Sequence, residues 1–351
     1  MKRPVPTPHI PAWSALALCA AVVLATLFAP TIGSARTVTD MAGRVVEAPE
    51  RATRIVTTYK PASLCLAALG LMDRLAGIDT DSKFDDLQSG LRPQLRKLPG
   101  VGRKSTGLNL ETILSVQPDL VILYSQKDGR QIAERLREYG ICAVIIEPET
   151  FEGLFAALRL IATAAGEPQR AERAIAECER VLGLVRDRVD EIPATARRSV
   201  YFAAPHDFFA TATGDLLQDD IITRAGGRNV GHELSGFFHE ISPEQFMLWN
   251  PDLVAVSAHA RRKAAEALAG AQFAQVSAVV SGQVYGFPSE LAPWDFPSPL
   301  SALGVLWLAK RLYPERMADV DLMTEIDRFH ATLFGRSFTD LEGRLDDGTD
   351  G

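Results

Sequence analysis

The chain has 351 residues, 47% of them hydrophobic and 23% charged, with a formal net charge of −7. That length leaves room for about two domains of ordinary size with real apolar cores. The excess of acid over base argues against a nucleic-acid partner.

Residues 1–35 stand apart. Lys2 and Arg3 precede an uncharged apolar stretch over residues 12–29, and Gly33 and Ala35 place small residues at cleavage-site spacing. This pattern predicts a secretory signal peptide cut after Ala35. An uncleaved membrane anchor is the alternative, because the stretch reaches about 18 residues, near the lower limit for a bilayer span. The exported part keeps Cys65, Cys142 and Cys178, each in an apolar setting at irregular spacing. They are expected to be small core residues, with no disulfide and no thiolate chemistry.

From residue 36 the chain gives a hairpin-like opening, "TVTDMAGRVVEAP", then the strand "RIVTT", the helix "ASLCLAALG" and the strand "RLAGID". A helix over residues 110–116, the strand "LVILY", the helix "GRQIAERLREYG" and the strand "CAVIIE" follow. Alternation of this kind predicts an α/β lobe over residues 36–149. Residues 150–193 read as connecting helices. Within them, residues 168–191 carry Ala171, Ala174, Ile175, Cys178, Val181, Leu182, Val185 and Val189 at three- and four-residue spacing, with Pro168 at the start and Pro193 after the end. A helix of about 24 residues spans about 36 Å, enough to cross from one lobe to the next. A second α/β lobe is expected over residues 194–337, opened by the strand "RSVYFAAP", and an acidic, disordered tail over residues 338–351.

The two lobes repeat a phrase. "LNLETILSVQPDLVILYS" at 108–125 and "ISPEQFMLWNPDLVAVS" at 241–257 share a Glu at the start of a helical pattern, a proline that breaks it, and Asp-Leu-Val leading into an apolar run. Proline cannot continue a helix, so Pro118 and Pro251 mark a helix-to-strand switch. The runs that follow suit strands buried on both faces of a parallel sheet. The expected fold is thus two Rossmann-like α/β lobes joined by one long rigid α-helix.

In such sheets ligands bind beyond the carboxyl ends of the strands. The strand-end loops carry Tyr59 and Lys60, Arg103 and Lys104, Tyr124, His206, His259 and Arg261, and Trp294, with His239 just before the repeated helix. Together these residues predict an aromatic and basic cleft for a large anionic, partly apolar ligand. Motifs of zincins, P-loops, nucleophile elbows and CxxC pairs are absent from the sequence. A competing reading is an exported metal-dependent hydrolase using His206, His239 and His259 with Asp207 or Glu240 as base.

The chain resembles the periplasmic substrate-binding proteins of ABC importers for iron-siderophore, haem or cobalamin. The resemblance rests on "DMAGRVVEAPERATRIV", "GLNLETILSVQPDLVI", "AGGRNV" with "ISPEQFMLWNPDLV", and "LYPE". It implies a periplasmic monomer that is not an enzyme and has no cofactor of its own, with a small-molecule metal complex held between lobes that close little. It also implies a permease and its ATPase as partners, with Glu111 and Glu244, one per lobe, docking on permease arginines. "ELAPWDFPSPLSALGVLWLAKRLYPE" is similar to a subgroup that includes molybdate or tungstate receptors. An iron chelate is the favoured ligand, with molybdate or tungstate, haem and cobalamin as alternatives.

Overall fold

The computed structural model describes residues 36–103, 106–125, 128–257 and 260–345. The expected leader or anchor therefore lies outside the described residues. Among those described, no helix is long and apolar enough to cross a membrane.

Four parallel strands form the first sheet in the order β4-β3-β7-β8: Leu75–Ile78, Ile55–Thr57, Leu120–Tyr124 and Cys142–Ile146. The second sheet is centred on β9 (Ser199–Ala203), flanked in parallel by β13 (Leu253–Val256) and β11 (Arg228–Asn229). β14 (Val284–Gly286) extends it beyond β13, and β10 (Ala210–Thr211) and β12 (His239–Glu240) add an antiparallel margin. The central strands are buried at every position, as their uninterrupted apolar runs require.

The repeated phrase is repeated in detail. Helix α3 (Leu110–Ser115) is capped by Asn109, whose side chain accepts from the Thr112 N–H. Its counterpart α8 (Pro243–Trp249) is capped by Ser242, which accepts from the Gln245 N–H. Both elements end on a left-handed residue before the proline, Gln117 at φ 47° and Asn250 at φ 42°. The aspartate that follows then ties its strand to the neighbouring one: Asp119 accepts from the Thr53 N–H at 2.7 Å, and Asp252 from the Ser199 N–H at 2.7 Å.

Period-two alternation sorts the strand side chains into three cores. Val121, Leu123, Ala143 and Ile145 face an outer cluster with Ile113 and Leu136. Tyr201, Ala203, Val254 and Val256 face another with Phe246 and Phe273. The intervening residues Leu120, Ile122 and Val144 of the first sheet and Val200, Phe202, Leu253 and Ala255 of the second belong to one continuous inner core. The link between the sheets is helix α6 (Pro168–Val189), 22 residues and hence about 33 Å long. All eight of its periodic apolar residues named above are buried in that inner core. Cys65, Cys142 and Cys178 are buried free thiols, and burial pushes the first two up to about 12.

Residues 338–345 correct the expectation of a disordered tail. Phe338 is fully buried, 6.2 Å from the Trp294 ring and 5.0 Å from His330, and Leu341 is buried as well. Phe338 and Leu341, with the partly buried Leu345, pin a segment that is otherwise polar. Residues 346–351 lie outside the described residues. His330, on helix α12 (Leu322–Phe334), sits 2.9 Å from the Ile326 carbonyl through Nδ1, which therefore carries the proton. Burial holds its pKa down at about 4. As pH falls from about 6.5, the unfolded chain gains a proton that the folded chain refuses, so stability falls with pH. Between pH 7 and pH 5 this one group costs about 2 kcal/mol. Urea unfolding of wild type and His330→Gln at the two pH values should show that part of the acid slope disappear in the variant.

Candidate functional site

A cleft of about 520 Å³ lies between the two sheets, lined from the first lobe by Tyr59, Lys60, Asp79, Asp81 and Glu149 and from the second by Phe237, Phe238 and Phe296. Tyr59, Asp79 and Glu149 follow the carboxyl ends of β3, β4 and β8, where a parallel sheet leaves its ligand crevice.

The first-lobe wall is a hydrogen-bonded frame. Thr57 and Ser63 share a 2.7 Å hydroxyl contact, and the Ser63 hydroxyl donates to Asp79 at 3.1 Å. Asp79 also accepts from the Ser82 N–H at 3.0 Å, and burial raises its pKa against those bonds. The rings of Tyr59 and Tyr124 lie 4.8 Å apart. Tyr124 donates to Glu149 at 2.5 Å, whereas the buried Tyr59 hydroxyl has no hydrogen-bond partner among the described residues. Burial, with the neighbouring carboxylates, raises the pKa of both phenols, so both remain protonated at neutral pH.

The second-lobe wall is aromatic. Phe237 is half exposed, and Phe238 meets the edge of His206 at 6.2 Å. The loop bearing them is tied down by bonds from the Gly214 N–H to the Leu234 carbonyl at 3.1 Å and from the Thr213 hydroxyl to the Gly236 carbonyl at 2.6 Å. His232 adds a 3.0 Å contact to Asp219, which raises the histidine's pKa. Phe296 is held by its neighbour Asp295, whose carbonyl accepts from the Gln218 side chain at 2.8 Å.

Of the four cations expected to attract an anion, the two whose side chains are described are each paired with a carboxylate. Lys60, at the start of helix α1 (Lys60–Ala68), pairs with the buried Asp85 at 3.2 Å and stands 5.9 Å over the Phe296 ring. Arg103 pairs with Asp81 at 3.1 Å. Among the described residues the cleft lining sets aromatic rings beside one lysine, Lys60, and three carboxylates, Asp79, Asp81 and Glu149, so the expected surplus of positive charge is not found there.

The other expected site residues fall in different places. Tyr59, Lys60 and Tyr124 belong to the cleft frame, and His206 to its rim. Trp294 is fully buried against Phe338 and belongs to the core. His239 is exposed on β12, paired with Thr211, one residue past the cleft-lining Phe238. Lys104 and His259 lie outside the described residues, as does the side chain of Arg261. Among the described residues no three His, Cys, Asp or Glu side chains converge as a metal site. Glu111 and Glu244 are exposed in the first turns of α3 and α8, away from the cleft lining.

Phe237, Phe238 and Phe296 were not among the expected site residues, since in the loops "FFHE" and "PSELAPWDFP" the histidine and the tryptophan are the more conspicuous side chains. In both loops a phenylalanine one or two positions away faces the cleft instead. The run of two aromatics before a strand is the signal that points to it.

The sequence profile of the periplasmic binding protein family matches residues 55–291. The molybdate-binding protein MolA of Haemophilus influenzae is 24% identical over 326 residues, covering 86% of this chain and 92% of that protein. The structure of MolA bound to molybdate superposes with a TM-score of 0.77 at 23% identity, covering 89% of this chain and all of the other. A vitamin B12-binding protein of Pectobacterium atrosepticum is 24% identical over 205 residues, 58% of this chain and 71% of that protein. The Helicobacter pylori CeuE structure with Ni(II) bound superposes with a TM-score of 0.75 at 20% identity, covering 88% and 98% of the two chains.

Proposed function

We propose, for a chain that belongs to the periplasmic binding protein family, that the cleft captures an iron chelate with an uncharged, partly apolar outer surface for delivery to an ABC importer. The observation that carries this reading is the aromatic wall of Phe237, Phe238 and Phe296 facing Tyr59 across about 520 Å³, with Lys60 and Arg103 each already paired with a carboxylate of the protein. Such a volume lies within the range of about 300–1,000 Å³ that holds a drug-sized molecule. A complex of ferric ion with three singly charged hydroxamates carries no net charge and presents methylene surface to aromatic rings. A tris-catecholate complex is strongly anionic, and among the described residues that line the cleft it meets one cation, Lys60, which is already paired with Asp85. Tyr59 adds its ring to the lining, while its hydroxyl is buried.

Molybdate is the second reading. The helix α1 N-terminus receives no side-chain cap from Tyr59, leaving N–H groups of the kind that bind anions, and MolA binds molybdate. Haem and cobalamin are the further alternatives, cobalamin being much the bulkier.

Tryptophan and tyrosine fluorescence titration of the exported chain decides among these. A ferric tris-hydroxamate should bind at least ten-fold more tightly than a ferric tris-catecholate. Saturable molybdate binding that displaces no chelate, or tighter binding of the catecholate, would overturn the assignment. Phe238→Ala and Phe296→Ala should each weaken hydroxamate binding by about ten-fold, the loss of roughly 1.4 kcal/mol of ring contact. Both side chains are partly exposed, so the thermal midpoint should move little.

A further inference from the structure

Beyond helix α6, the lobes meet at a second place, behind the cleft. Helix α2 (Asp86–Leu91) of the first lobe donates its Leu87 N–H to the Leu291 carbonyl of the second at 3.0 Å. The segment after helix α12 lies across this junction. Gly335 turns the chain in the left-handed region at φ 74°, and Thr339 is fastened to Asp327 of α12 by its N–H at 2.9 Å and its hydroxyl at 3.0 Å. From there the segment reaches both lobes. Arg336 donates to the Gly90 carbonyl of α2 at 3.3 Å, and a Cβ on Gly90 would stand 3.1 Å from a Leu341 methyl. On the other side the Glu290 N–H donates to the Arg344 carbonyl at 3.2 Å. The chain closes over Phe338 at Gly343, where a Cβ would come within 2.5 Å of the ring, so only glycine permits the crossing.

Both ends of this junction connect to the cleft. Asp85, which caps α2, is the partner of Lys60, and the loop carrying Glu290 and Leu291 continues through Trp294 to Phe296. Lys60 and Phe296, from opposite lobes, face each other at 5.9 Å.

We propose that residues 335–345 form a strap that fastens the two lobes to each other behind the cleft and so holds Lys60 and Phe296 at their spacing. The exposed ion pair Arg344–Glu290 at 3.7 Å adds little. The fastening comes from the buried Phe338 and Leu341 and from the backbone bonds.

The test is amide hydrogen exchange on the exported chain, on a chain ending at Gly335, and on the point variant Arg336→Ala/Leu341→Asp. The Leu87 amide reports the junction directly, and Val121 and Val254 report the two sheets. In both variants Leu87 should exchange at least ten-fold faster while Val121 and Val254 stay unchanged. Unchanged Leu87 exchange would overturn the proposal. So would equal acceleration at all three positions, because the segment would then contribute only to global stability. The point variant keeps the test open should the shortened chain fail to fold.

Discussion

Replacing Trp294 by alanine is expected to destabilise the protein by about 3–5 kcal/mol, the cost of removing a fully buried indole from a packed core. Trp294 has no exposed surface, and its ring packs against Phe338 of the strap. Its indole N–H has no hydrogen-bond partner among the described residues. A Trp294→Phe variant therefore forfeits no hydrogen bond and keeps an aromatic body in place, so it should lose less than half as much. Chemical unfolding of the two variants, with chelate affinity measured on the folded fraction, checks this. An alanine variant of wild-type stability but reduced affinity would return Trp294 to the cleft, where the sequence had placed it.

The second large effect concerns delivery. Glu111 and Glu244 occupy the same position of two equivalent helices, one per lobe, and both are exposed. The Glu244 carboxylate lies below its usual pKa because the first-turn N–H and the Ser242 hydroxyl bond to it, so it stays ionised at neutral pH. Neither residue lines the cleft. If they are the contacts to a permease, Glu111→Ala/Glu244→Ala should leave chelate affinity within two-fold of wild type and lower transport in reconstituted vesicles by at least ten-fold. Single variants should be milder, and higher ionic strength should weaken delivery by the wild type as well. Unchanged transport by the double variant would remove these residues from the partner surface.

The fold was legible because its signals are local. Pro118 and Pro251 end a helix by covalent geometry, the Asp119 and Asp252 side chains reach only to the adjacent strand, and the periodicity of α6 is written in consecutive residues. The cleft was less legible because its character depends on distant partners. Lys60 reads as a free cation until Asp85, 25 positions on, is seen beside it, and Arg103 until Asp81 is. Orientation within a loop is equally hidden. In "WDF" the tryptophan turns into the core and the phenylalanine two residues later into the cleft, a choice made by Phe338 more than 40 residues away. The same contact orders a segment whose composition alone suggests disorder.

The continuous inner core has a consequence for traffic at the membrane. Close-packed interiors shift between discrete arrangements rather than yielding smoothly, and here such packing runs from one sheet through α6 to the other. A receptor built in this way works like a fixed-gauge caliper. It accepts a cargo by fit, and its outline with cargo should differ little from its outline without. A transporter meeting it then has no change of silhouette by which to tell full from empty, so idle receptors should compete with laden ones for the same landing place.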